Sequence, residues 1–373
     1  MVYLDNAATT AVSTESADAA RSAMLECWGN PSSGHSFGIN AERLLKESRS
    51  IIARAIGAHD EEIFFTSGGT EANNLAILGC ARSARKKNGH IIVSAVEHPS
   101  VLGAVRRLKD EGFELTEIAP DRYGRISVQS VADALTDRTV LVSVMLANNE
   151  LGSVMPIREI SRLLKRKSPD TLLHCDAVQA FGKMNFSVSS LGCHLLSVSG
   201  HKIHAPKGIG ALYISRDIKK PLPLSFGGEQ QQRIRPGTEP LPNIAAFAAA
   251  VRNLSCDSTD IAALSSYAKE RLTELGCTIN SPDDASPYII NFSTGCIKSE
   301  TMLNFLSSKD ICVSSGSACS KGKLSHVLTA TGMEHHLADS AIRISFCKDN
   351  TKEDIDILCT AVGEALGSLV RFR

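Results

Sequence analysis

Between about residue 50 and residue 215, short apolar runs alternate with segments of helical period, the pattern of a mainly parallel sheet wrapped by helices. The expected strands are Ile63 to Thr66, Ile91 to Ser94, Leu115 to Ala119, Val140 to Leu146, Leu172 to Asp176, Leu195 to Ser199 and Gly210 to Ser215. Several are apolar at consecutive positions, as in Val140-Leu141-Val142, and a strand covered by helices on both faces needs that composition. Past the loop from Gly227 to Pro242 the pattern changes to a long alanine-rich helix, followed by strand and helix again. Strands are expected there at Tyr288 to Phe292, Ile311 to Val313 and Ala341 to Phe346. A last helix opens at Thr351-Lys352-Glu353-Asp354, a capping-box-like start, and repeats apolar residues at Ile355, Leu358, Val362, Leu366 and Leu369. The chain therefore reads as α/β, with a large unit over residues 16–245 built on a seven-stranded sheet. A smaller α+β unit takes residues 1–15 together with 246–373, since a domain can bring its two chain ends together.

Composition narrows the function classes. Across 373 residues, 40 Lys and Arg balance 40 Asp and Glu, so no charge excess marks a direct nucleic-acid partner or a membrane surface. The N-terminus has no basic segment, and the longest apolar run, Ile244 to Val251, is far short of the ~20 residues that span a bilayer. No membrane segment and a cytoplasmic location are expected. The 11 cysteines are odd in number and contain no C-x-x-C pair, which argues against a disulfide framework or a zinc ribbon, and no metal site is expected. Free thiols persist in a reducing compartment, and the question becomes whether one is a nucleophile.

Three features of the large unit fit one cofactor. Thr66-Ser67-Gly68-Gly69-Thr70-Glu71 follows a strand and opens a helix, where glycines let backbone N–H groups and hydroxyls converge on an anion. Asp176 ends the strand Leu172 to Asp176, the place where open α/β sheets put ligand contacts. Ser199-Gly200-His201-Lys202 follows another apolar strand, and a lysine there can form an imine if burial or nearby cations lower its pKa. Each alone has a bland reading, as strand-to-helix turn, helix cap or solvated lysine. Together they are the phosphate grip, ring-nitrogen partner and Schiff-base lysine that pyridoxal phosphate needs.

Further along, Arg343 interrupts an otherwise apolar strand, and such a charge calls for a partner, either a bidentate substrate carboxylate or a structural salt bridge. Cys319 lies in Ser314-Ser315-Gly316-Ser317-Ala318-Cys319-Ser320-Lys321-Gly322-Lys323, whose small and polar residues describe an exposed loop. Lys321 and Lys323 are close enough in sequence to favour a thiolate. Cys175, beside Asp176 on a strand, is expected to point to the opposite face.

The segments Tyr3 to Thr10, Asn30 to Ser33, Phe65 to Asn74, Glu97-His98-Pro99, Ala147 to Glu150, His174 to Gln179, Ser199 to Lys202, Arg235 to Thr238 and Ser315 to Cys319 resemble the cysteine desulfurase family. They do so in order over essentially the whole chain. That family belongs to the class V aminotransferase group of fold-type I pyridoxal phosphate enzymes. The resemblance implies that Lys202 carries the cofactor, that Asp176 pairs with its ring nitrogen and that His98 stacks on the ring. It implies that Gln179 and Asn149 bond the ring oxygen, while Gly69, Thr70, Ser199 and His201 hold the phosphate. Thr238 would reach in from the second subunit of a homodimer. Asn30, Asn149 and Arg343 would hold the substrate carboxylate, and Cys319 would take sulfur from L-cysteine as a persulfide, leaving L-alanine. The Gly-Ser-Ala-Cys form points to an acceptor protein of iron–sulfur cluster assembly or tRNA thiolation. The alternative within the same scaffold is a selenocysteine lyase or another class V lyase or aminotransferase. The chain departs from the family in a shorter Cys319 loop and in Ile203-His204-Ala205-Pro206, where His204 reads either as a packing change or as an influence on acceptor choice.

Overall fold

The computed structural model describes residues 1–84, 89–255, 257–315 and 324–370. Strand β1 (Val2–Tyr3) is followed by seven strands of one sheet: β2 (Ile63–Thr66), β3 (His90–Ser94), β4 (Glu114–Ile118), β5 (Thr139–Ser143), β6 (Leu172–Asp176), β7 (Leu195–Ser199) and β8 (Gly210–Ile214). Their spatial order is β2-β8-β7-β6-β5-β3-β4. Six run parallel and β8 lies antiparallel between β2 and β7. The segment from Ser199 to Gly210 is too short for the helical crossover that a parallel return needs, so the chain doubles back instead. β5 ends three residues before the expected Leu146, although Val144 N and Leu146 N still donate to His174 O and Asp176 O at 3.1 and 2.9 Å. This keeps the Asn149 turn beside the end of β6.

Helices cover both faces of the sheet, and the pleat divides neighbouring residues between them. Phe65 packs on one side with Ile52, Val142 and Phe247, whereas Phe64 packs on the other with Leu75, Val105 and Leu212. The continuous apolar strands are thereby explained.

The second core joins the two chain ends. β9 (Thr278–Ile279), β10 (Ile289–Ser293) and β12 (Ala341–Ser345) form an antiparallel sheet with β10 in the middle, and β11 (Ile311–Cys312) pairs parallel with β1. Leu4 is buried in this core with Leu264, Phe292, Phe346 and Leu358. Thr351 caps the last helix, Lys352–Ser368, through reciprocal bonds with Asp354. The boundary expected at 245/246 falls inside a continuous helix, Leu241–Arg252, and Ile244 and Phe247 on either side of it both belong to the large core. The change of core follows that helix. No helix among the described residues is long and apolar enough to cross a membrane.

Candidate active site

A cavity of about 340 Å³ opens at the carboxyl ends of β6 and β7, where Asp176 and Ser199 finish their strands. Beyond Ser199 the chain turns through Gly200–Lys202. A Cβ at Gly200 would sit 2.9 Å from Ile209 Cγ2 and 3.0 Å from Ala205 Cβ, so only glycine fits this tight turn. Lys202 Nζ donates to Ala7 O and Ala8 O, both at 2.7 Å. Burial first, then the nearby Lys183 and Arg343 charges, push Lys202 down to about 7. His204, two residues on, adopts a left-handed φ of 67°. Its N–H donates to Thr10 Oγ1 at 2.8 Å and its Nδ1 contacts Ala11 O at 3.0 Å. His204 thus fastens the lysine turn to the N-terminal segment, in keeping with its packing reading.

Asp176 is buried and anchored from two sides. Val178 N donates to Oδ1 at 2.9 Å and Asn73 Nδ2 to Oδ2 at 2.7 Å. Burial raises the carboxyl, while these bonds and the charges of His98 and Lys202 pull it back. His98 caps the helix Pro99–Asp110 and stands at the cavity wall, its Nδ1 2.7 Å from Ser100 Oγ. Burial lowers its pKa, opposed by Asp176. Gln179 also lines the cavity, with Nε2 donating to Ala7 O at 2.9 Å.

A side lobe of the cavity is bounded by Gly68, Gly69, Thr70, Ser199, His201 and Lys207. Gly68 has φ 149° and Gly69 starts the helix Gly69–Ser83. A Cβ on Gly69 would approach Val178 Cγ2 to 2.8 Å, and Ser199 Oγ is buried with no partner. An unpaired hydroxyl beside a helix N-terminus and a cationic side chain fits a phosphate group. His201 is pushed down to about 4 by burial and by Lys202, so its neutral ring, held near Thr9 Oγ1 at 3.2 Å, closes the lobe.

Across the cavity, Arg343 on β12 is 4% exposed. Its Nη2 pairs with Asp5 at 2.7 Å and its Nη1 donates to Asn149 O at 2.9 Å, leaving Nε buried without a partner. Of the two readings of this residue, the structural salt bridge is present, and the guanidinium keeps N–H groups that no described residue takes.

The structure brings Gly69, Thr70, His98, Asn149, Asp176, Gln179, Ser199, His201, Lys202 and Arg343 around one cavity. It does not bring Asn30 or Thr238 there: both are exposed, and Asn30 Oδ1 accepts from Ser32 N in its own turn. Cys319, Lys321 and Lys323 lie outside the described residues. Cys175 is fully buried in the large core with its thiol pushed well up by burial, and it does not line the cavity. Residue reasoning did not single out Asn73, Glu97, Glu150 or His326. Asn73 carried a signal, since it falls one helical turn after Gly69 on the same face. The others depend on contacts between distant segments: Ser325 Oγ donates to Glu150, and His326 Nε2 lies 2.9 Å from Glu97 O.

An anion lobe, a lysine and an aspartate at the ends of adjacent strands, and a mainly parallel seven-stranded sheet define a pyridoxal-phosphate-dependent enzyme. The Aminotransferase class-V family matches residues 2–358, and the chain belongs to that family. Cysteine desulfurase IscS of Methanosarcina thermophila is 38% identical over 376 residues, covering 99% of this chain and 92% of the relative. A solved NifS-like protein superposes with a TM-score of 0.93 at 35% identity, over 98% of this chain and 99% of its own. A solved structure of SspA in complex with cysteine gives a TM-score of 0.84 at 35% identity, over 93% and 99% of the two chains. The resemblance carried by the motifs is borne out.

Proposed function

We propose that the protein is a cysteine desulfurase, converting L-cysteine to L-alanine and leaving the sulfur as a persulfide on Cys319. The observation that carries this reading is the single cavity shared by Lys202, Asp176, the Ser199 lobe and Arg343. The full-length likeness to a desulfurase and to a structure holding cysteine supports it. Pyridoxal phosphate bound through Lys202 supplies the electron sink that allows substrate Cα–H and Cβ–S bonds to break. Lys202 Nζ, brought to about 7, takes the Cα proton and returns it within the site. Asp176, fixed by Asn73 and Val178, would pair with the ring nitrogen of the bound cofactor. Arg343, steadied by Asp5, has N–H donors left over from its protein contacts for the substrate carboxylate. The Cys319 thiolate attacks the substrate sulfur; an S–S bond forms, the Cβ–S bond breaks, and its electron pair stays with the carbon skeleton that becomes alanine after protonation.

In this reading Thr238 serves the cavity of a second subunit, consistent with its exposure outside its own. Large apolar side chains left exposed include Trp28, Phe37 and Phe226, a composition suited to a homodimer interface. All nine described cysteines are free, which supports a reducing cytoplasm. The sulfur acceptor is an iron–sulfur scaffold or a tRNA-thiolation enzyme. Incubation with isotopically labelled L-cysteine followed by mass spectrometry tests the reading: the peptide carrying Cys319 gains one sulfur, about 32 Da, and alanine accumulates. Alanine formation with no adduct at Cys319, or full turnover by Cys319→Ser, overturns it in favour of a different class V lyase.

A further inference from the structure

A second cavity, of about 560 Å³, also reaches Lys202 and is lined by Lys183, His204, Tyr288 and Cys347 but by neither Asp176 nor His98. Lys183 is buried, 7% exposed, in the turn after β6. Its Nζ donates to Gln179 Oε1 at 3.4 Å, Gln179 Nε2 donates to Ala7 O at 2.9 Å, and Lys202 Nζ donates to that same carbonyl at 2.7 Å. A continuous hydrogen-bond chain therefore links the two lysines. Neither has an ion-pair partner among the described residues, and Lys183 otherwise faces the ring of Tyr288, 5.8 Å from its centroid.

We propose that Lys183 is a positioning residue for the Lys202 amine, setting the Gln179 amide that shares the Ala7 carbonyl with Lys202 and opposing protonation of Lys202 by an uncompensated buried charge. The proposal rests on Lys202 being the cofactor-binding lysine. Donation from Lys183 to Gln179 Oε1 leaves only one orientation of the amide, with its N–H groups toward Ala7 O and the cavity. The charged and titratable groups facing Lys202 are Lys183, Arg343, Asp5, Asp176, His98 and His201. Those facing Lys183 are Arg343, Cys347, His201, His204 and Tyr288. Lys183 is the strongest like charge acting on Lys202, ahead of Arg343, with Asp5 and Asp176 opposing. Burial lowers Lys183 as well, to about 8, and a charge held there opposes a second one on Lys202.

The test is the pH midpoint of the change in the visible band of purified holoenzyme, with borohydride reduction and peptide mapping of the bound cofactor as a control. Lys183→Met and Lys183→Gln are expected to raise the midpoint by about one pH unit, while Lys183→Arg, which keeps the charge, stays near the wild-type value. The glutamine variant decides the matter if the methionine variant does not fold. A midpoint unchanged on neutral replacement, with the cofactor still mapped to Lys202, overturns the role of Lys183. Reduction of the wild-type protein at a different lysine overturns the reading of the site itself, and the two failures are told apart by the mapping.

Discussion

Glu97 illustrates how much of the site turns on single buried groups. Its Oε1 accepts from Ser94 Oγ and Met145 N, both at 2.7 Å, whereas Oε2 is buried without a partner. Complete burial, with Asp176 nearby, pushes the carboxyl up to about 8. In the unfolded chain it ionises near pH ~4.3. Across the window from about 5 to about 8 the folded protein holds a proton that the unfolded chain has released, so this group's contribution to stability falls as pH rises. Glu97→Gln removes the titration. Its thermal midpoint relative to wild type is expected to climb between pH 5 and 8 and level off above, and an offset independent of pH would contradict the assignment. Asp176 and Lys202 were legible from the chain because the first ends an apolar strand and the second lies in the short turn after another. Glu97 was not, because its value depends on the β5 end and on Asp176, which approach it only in the folded protein.

At the scale of elements, two junctions position the cavity walls. Ser325 caps the helix His326–Ala330, accepting from Val327 N at 3.1 Å and Leu328 N at 3.2 Å while donating to Glu150. Burial pushes Glu150 up to about 7, and the Ser325 bond and the Arg343 charge hold it down. Ser325→Ala removes the cap and strands a buried carboxyl oxygen, with an expected loss of about 2 kcal/mol in urea unfolding. A loss below the error of the measurement would show that the cap is dispensable. The second junction is Gly210, at the start of β8. A Cβ there would lie 2.6 Å from Val198 O and 2.8 Å from Gly68 Cα. Gly210→Ala therefore displaces the Gly68 turn, and binding of pyridoxal phosphate to the stripped protein is expected to weaken about tenfold, or ~1.4 kcal/mol. Titration of the visible band measures this, and wild-type affinity would place the phosphate elsewhere. The antiparallel course of β8 that creates this contact follows from a short connection, whereas strand composition alone reads the same in either direction.

For the whole molecule, the exposure of Thr238 and of Trp28, Phe37 and Phe226 belongs to one expectation. Sedimentation at working concentration should give a species of twice the chain mass. On the proposed homodimer, Trp28→Asp combined with Phe226→Asp should shift it toward monomer and lower turnover in parallel, because each cavity would then lack the Thr238 proposed to come from the second subunit. A fully active monomer would remove Thr238 from the mechanism. The pairing of β1 with β11 ties the first residues of the chain to its last third and carries Asp5 to Arg343, so the two chain ends contribute to the site along with the large sheet.

Strand composition, glycine placement and the ends of apolar runs are local properties, which is why the α/β class, the seven strands of the large sheet and the positions of Gly69, Asp176 and Lys202 could be read from the chain directly. Contacts between distant segments are not local. The continuity of the Leu241–Arg252 helix across the expected boundary, the direction of β8, the Asn73 bond to Asp176 and the Lys183–Gln179–Ala7–Lys202 chain were decided by packing. A residue's type says which bonds it can make; burial and neighbours from remote parts of the sequence determine which it makes and at what pH it holds a proton.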